Sequence, residues 1–273
     1  MTEPTPPHIE PATLVARLRE YISPHDPTWA ARIQPCTDED LAHYAGLAGL
    51  GAAADALPAA YRAFARAMGG DCGGLFKGLR IDTRVREIVT LYQEYQQFEP
   101  DAINPLLPVV GLYIVGDQIS LDLRAAAADP AVADTSNGEW VQPLSRSWEA
   151  LVMQAAVLYV EPRRLPFARW YSRPASRSKV DPAVLHAALA GFGAPVGLIE
   201  AWPSDAGHSI LVSAPSSLYM TIHADGSALL YAFSADRSFL QRVDAELAPS
   251  LGMTHRGTAR LIAGSLQDSA KAP

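Results

Sequence analysis

Two carboxylates, Asp117 and Asp122, interrupt the apolar run VVGLYIVGDQISLDL at residues 109–123, and a pair of acids is the commonest equipment for general acid and base chemistry. Their spacing argues against it. Gly116-Asp117 suits a two-residue hairpin turn, which puts Asp117 at the tip and Asp122 on the polar face of the second arm, too far along the strand to converge. The other candidates are no stronger. MGGDCGGLFKG, residues 68–78, has the glycines of a phosphate cradle, yet Lys77 is followed by Gly78 where a P-loop needs Ser or Thr, so a helix end running into a tight loop explains them. Cys72 in that loop has no histidine near it in sequence to activate it. His208 and His223 flank predicted strands and could meet across a sheet. An enzyme there would need a deep pocket lined by both and a carboxylate. No HExxH, no His/Cys pair at metal-ligand spacing and no GxSxG occurs, so the sequence predicts no metal, no cofactor, no small-molecule substrate and no catalysis.

The elements that must position these residues are legible from periodicity. Leu14, Val15, Leu18 and Ile22 mark a leading helix; Thr37, with Asp40 three residues on, caps a second, which ends near Gly51. Leu57, Tyr61, Phe64 and Met68 share a face of a third, with Pro58 at its first position and Gly69-Gly70 at its end. A fourth helix follows over TRVREIVTLYQEYQQF. VVGLYIV looks buried on both faces. Ile119, Leu121 and Leu123 alternate with Gln118, Ser120 and Asp122, the period of a strand with one wet face. Asn137-Gly138 is a further turn into a short strand, and SRSWEALVMQAAVLYV is a closing helix whose inner face carries Trp148, Leu151, Val152, Ala155 and Leu158. The fold class predicted is α+β, with helices packed on a twisted antiparallel sheet and a smaller α+β unit behind it.

Residues 161–182 hold five arginines, a lysine and four prolines, and 163–180 is predicted to be a basic linker packed on the acidic front. The divisions are then a helical extension over 1–36, a domain over 37–162, the linker, a small α+β domain over 181–265 with a hairpin turn at Asp225-Gly226, and a frayed tail over 266–273. Charge follows the same division. Residues 1–162 sum to −10 and residues 163–273 to +3, so the front half would repel nucleic acid and anionic lipid and attract a basic partner. No apolar run is long enough for a membrane span, the first residues lack the basic and apolar blocks of a secretory signal, and two isolated cysteines suit a reducing compartment, so a cytoplasmic protein is expected.

Residues of about 40–160 resemble the SMI1/KNR4 (SUKH) superfamily. The resemblance rests on LPAAYRAFARAMGG as a Leu-Pro helix closed by a glycine pair, on LPVVGLYIVGDQISLDL as the hairpin with Gly-Asp at its turn, and on SNGEWVQP with SWEALV as the closing strand and helix. Where the family usually carries Asn before the glycine pair, this chain carries Met68. The resemblance implies a non-catalytic binding protein: bacterial members look like immunity proteins that neutralise a cognate toxin, and the fungal namesakes are regulatory scaffolds. An acidic front domain would suit a basic, nuclease-like toxin. The candidate contact residues are Glu94, Asp117, Asp122, Glu139 and Trp140. A scaffold without a toxin, using the C-terminal unit, is the alternative.

Overall fold

The structure, a computed structural model, describes residues 11–113, 117–125, 127–175, 181–223, 225–257, 261–262 and 265–266. Helices α1 (Pro11–Ile22), α2 (Asp38–Leu47), α3 (Ala59–Met68), α4 (Val85–Phe98) and α5 (Trp148–Arg164) form the front half with strands β1 (Ile33–Gln34), β2 (Asp71–Cys72), β3 (Ile81–Asp82), β4 (Val109–Tyr113), β5 (Gln118–Leu121), β6 (Val132–Ser136) and β7 (Glu139–Ser145). Strands β3 to β7 make a five-stranded antiparallel meander in chain order, and β1 pairs with β2. The back half adds β8 (Phe167–Arg173), α6 (Pro182–Gly193), β9 (Ile199–Glu200), β10 (His208–Val212), β11 (Ser216–Ile222), β12 (Ala228–Ser234), α7 (Arg237–Arg242), the short α8 (Ala248–Ser250) and β13 (Thr254–Gly257). These strands pair in the order β13-β8-β12-β11-β10-β9, all antiparallel. A small hairpin of β14 (Leu261–Ile262) and β15 (Ser265–Leu266) follows. The chain is therefore α+β.

Local chemistry accounts for the helix ends. Thr37 Oγ1 accepts from the Asp40 N–H while Asp40 accepts from the Thr37 N–H at 3.1 Å, a reciprocal cap that starts α2. α2 stops at Leu47, one turn before Gly51, because Gly49 already supplies the left-handed residue (φ 75°). Pro58 sits just outside α3, and Leu57, Tyr61, Phe64 and Met68 are all buried as their spacing predicts.

α5 explains how the halves join. Every residue from Trp148 to Glu161 is buried, which an amphipathic surface helix cannot be. Trp148 stands among Tyr61, Phe64 and Phe76 in the front core, with ring centroids 5.1–5.9 Å away. Val157 and Leu158 pack instead with Leu165, Ala168, Ile210, Tyr219 and Phe233 of the back half. The six-stranded sheet consequently buries both faces. Leu218, Met220 and Ile222 of β11 join α6 and α7 on one side, and Tyr219 meets the α5 cluster on the other.

Three expectations are corrected here. The stretch 163–180 is not a linker: its residues 167–173 form β8, fully paired with β12, because FARWYSR alternates and both its faces have something to cover them. Residues 176–180 of that stretch lie outside the described residues. α1, from the supposed extension, buries Leu14, Leu18 and Ile22 in the front core. β5 has no wet face, since Gln118 donates to the Tyr95 hydroxyl, Ser120 shares a 2.7 Å hydrogen bond with Thr135, and neither side chain reaches solvent. The tail beyond Leu266 lies outside the described residues.

Candidate protein-binding surface

The front sheet's free edge is β7, and it is chemically unlike the rest of the front half. Trp140 is 42% and Val141 55% exposed, while Phe98 at the end of α4 and Leu106 in the following segment are 69% and 51% exposed. Among the described residues these are all the exposed large apolar side chains of the front half. Segment 99–107 runs between the two ends of the sheet and is pinned at both. Asn104 Nδ2 donates to the Gly138 carbonyl at 3.0 Å, and the Leu123 N–H donates to the Leu106 carbonyl at 2.9 Å. The turn itself needs its glycine: Asn137 and Gly138 have φ of 48° and 77°, and a Cβ on Gly138 would lie 2.2 Å from the Ala102 carbonyl oxygen.

Charge is concentrated on the same stretch. Along the sequence, residues 87–145 carry nine acids against Arg124 alone, a net −8, with Glu87 paired to Arg84 and Arg86 just before the stretch. Glu94 and Phe98 stand one turn apart on α4 and both are exposed. Asp117 is exposed beside the β4–β5 hairpin loop, and the Tyr113 N–H donates to its carbonyl at 2.9 Å. The turn geometry expected at Gly116-Asp117 falls partly on Gly116, outside the described residues. Strand register sets Asp117 level with Ser136, and Ser136 pairs with Glu139, so Asp117 and Glu139 stand two strands apart at the same end, about 10 Å.

Asp122 differs from its sequence assignment. β5 ends at Leu121, and Asp122 is a turn former whose Oδ1 accepts from the Arg124 N–H at 3.1 Å and from Arg124 Nε at 2.8 Å. That hydrogen bonding from Arg124 holds its carboxyl below the usual carboxylate range despite partial burial. The Arg124 guanidinium also lies 5.5 Å from the centre of the Trp140 ring, so Asp122 positions the cation that fixes the tryptophan. Glu94, Asp117, Glu139 and Trp140 are exposed, and Asp122 holds Arg124 beside Trp140. Sequence spacing does not single out the exposed Phe98 and Leu106 or the position of Arg124 beside Trp140. Phe98 ends a helix whose other apolar residues point inward, and a lone exposed side chain leaves no periodic trace.

Of the candidate catalytic groups, His208 lies in the back half and is engaged by Asp205. His208 and Asp205 are almost wholly buried with Nδ1 and Oδ1 2.9 Å apart. The other carboxylate oxygen accepts from Ser145 Oγ, the Arg146 N–H and Gln154 Nε2 at 3.0–3.1 Å. Burial alone would raise the Asp205 pKa, but the His208 hydrogen bond and charge, with the front-half donors, bring it down to about 2. His208 pairs with Thr221 rather than with His223. The node ties the back half to the start of α5 and β7. A second node does the same at the other end of α5, where buried Glu161 accepts from Tyr21 Oη at 2.9 Å and from Ser217 Oγ at 2.6 Å and pairs with Arg164. Both cysteines are free thiols; Cys72 is buried, and burial with the neighbouring Asp40 pushes the Cys36 thiol up to about 11, away from nucleophilic use. Among the described residues no group of three or more His, Cys, Asp or Glu could hold a metal ion, and no helix is long and apolar enough to cross a membrane.

Fold and surface together define a class, an α+β protein with an acidic, aromatic-bearing sheet edge. Compared with known proteins, the chain matches no family model and no curated sequence.

Proposed function

We propose that the chain is a non-catalytic immunity protein that binds a cognate basic toxin through the β7 edge and occludes its active or substrate site. The observation that carries this is the coincidence of an exposed tryptophan, held by Arg124, with the −8 segment. Aromatic anchors supply most of the affinity of protein interfaces, and a field of one sign raises the association rate with a partner of the other. The resemblance to the SMI1/KNR4 superfamily points the same way, and a cytoplasmic location would place the protein where a nuclease-like toxin acts.

The test is affinity capture of the tagged full chain from its own cells, with a Trp140→Ala/Glu139→Lys variant in parallel and mass spectrometry after a moderate salt wash. One stoichiometric, basic, toxin-like chain retained by the native protein and lost by the variant supports the proposal. Several unrelated proteins retained equally by both sink it. That second result would favour the scaffold reading, for which one observation speaks: the back sheet also ends in an edge, β9, where Ile199 is 69% exposed.

A further inference from the structure

Among the described residues, the edges of the two large sheets are short or broken, with one exception. The front sheet begins at β3 and the back sheet ends at β9, each of two residues, and β13 at the other end of the back sheet has four residues and a bulge. β7 has seven residues, and no described strand pairs with its outer side. A long open edge is a template for another chain's strand unless it is blunted.

Two features blunt this one. Pro143 stands inside the strand, opposite Ala133, and has no N–H to give to an added strand. The register against β6 also slips in two places. Trp140 faces Thr135 and Gln142 faces Asp134, which leaves Val141 over; Pro143 faces Ala133 and Ser145 faces Val132, which leaves Leu144 over. Each leftover residue is a bulge, which bends the strand and disrupts further pairing.

The first bulge also sets side chains. Adjacent residues of a strand point to opposite faces, so an unbroken β7 would turn Trp140 and Val141 away from each other. The bulge breaks that alternation, and the two stand exposed in succession, at 42% and 55%. Trp140 is held by the Arg124 guanidinium, 5.5 Å from its ring centre, and that cation is tied down by Asp122. Exposed carboxylates accompany the pair: Glu139 precedes it in the strand, and Asp117 stands at the same end of the sheet.

Resting on the immunity reading above, we propose that β7 receives its partner through Trp140 and Val141 as a side-chain knob, and not by strand addition, the knob entering an apolar cleft with a basic rim on a folded protein. Trp140 is the anchor, and an aromatic anchor yields its affinity in a pocket that excludes water. Glu139 and Asp117 set the sign of the rim. An extended peptide offers no such cleft and finds no ladder to join, so the element occluded on the toxin is a concave active or substrate site.

The test titrates the full chain against the protein it captures, by biolayer interferometry, with Val141→Ser and Pro143→Thr in parallel, both at exposed positions. Val141→Ser should weaken binding about tenfold. Pro143→Thr, which restores the missing N–H, should leave binding within about twofold. A captured partner that binds Val141→Ser as tightly as the native protein, or that Pro143→Thr binds several-fold more tightly, overturns the knob and leaves the immunity reading standing. Capture of no partner sinks the immunity reading, and the knob with it. A second arm needs no partner: a peptide of alternating Lys and Val, a basic strand former, is added to the native protein at about 1 mM while amide exchange is followed over residues 139–145. Unchanged exchange is expected, and protection of these amides by the peptide overturns the proposal.

Discussion

Replacing Asp205 by Asn removes one charge from a buried site and almost no volume, so it isolates what the carboxylate does for the junction of the two halves. In the native protein the carboxylate only accepts: Ser145, Arg146 and Gln154 donate to one oxygen, and Gly207 and His208 to the other. An amide must turn its NH₂ toward one of these groups of donors, so at least two hydrogen bonds become donor facing donor. The electrostatic part follows from the depressed pKa. A fall from 3.8 to about 2, at about 1.36 kcal/mol per unit, corresponds to about 2 kcal/mol of stability present above pH 4. The unpaired donors add about 1–3 kcal/mol, so Asp205→Asn should cost about 3–5 kcal/mol at pH 7. Because the folded value lies below the unfolded one, the native contribution is lost as pH falls through the window from about 4 to about 2, and about half of it remains at pH 3. Urea denaturation of both proteins at pH 7 and pH 3 measures the gap. It should narrow by about 1 kcal/mol on acidification. A gap below about 1 kcal/mol at pH 7, or one that does not change with pH, would refute the account of this node.

Trp140→Ala should cost about 1 kcal/mol of stability, since the residue is partly exposed and loses the Arg124 contact, yet weaken capture of a partner by more than about tenfold in a titration. Gly138→Ala should destabilise by several kcal/mol, read from the urea midpoint, because its Cβ would strike the Ala102 carbonyl at a φ that disfavours it. Thr37→Ala removes the α2 cap and should cost about 1 kcal/mol in the same assay.

How much of this was legible depended on whether a residue's partners were local. The α2 cap, the buried face of α3 and the turn at Asn137-Gly138 are set by neighbours three or four positions away, and spacing alone places them. β8 was hidden because its composition, Arg-rich and flanked by prolines, is that of a surface strap. Only β12 and β13, some 55 to 90 residues downstream, turn it into an interior strand. The wet face assigned to β5 failed for the same reason: Gln118 and Ser120 are polar, and the groups that satisfy them, Tyr95 and Thr135, are remote in sequence. Of the candidate surface residues, Trp140 is named from its sequence as a contact residue, and its 42% exposure agrees with a surface position. Asp122 was legible as an acid but not as the partner of Arg124.

The burial of α5 bears on why one chain carries both halves. A helix with Trp148 and Leu151 on one side and Val157 and Leu158 on the other has no face left for water, so a front half cut after residue 162 would expose Val157 and Leu158 and leave Glu161 without Ser217. The charged node is the more demanding requirement. Glu161 is almost fully buried, and its remaining partners, Tyr21 and Arg164, lie respectively in the front half and just past that cut. A buried carboxylate stripped of its hydrogen bonds costs several kcal/mol or takes up a proton. The fragment 1–162 should therefore be poorly soluble or unfolded, and Glu161→Gln should partly rescue it by removing the charge, an outcome read by circular dichroism and thermal melting. A well-folded fragment that Glu161→Gln does not improve would mean that the back half is an independent domain and that α5 is covered by it rather than dependent on it.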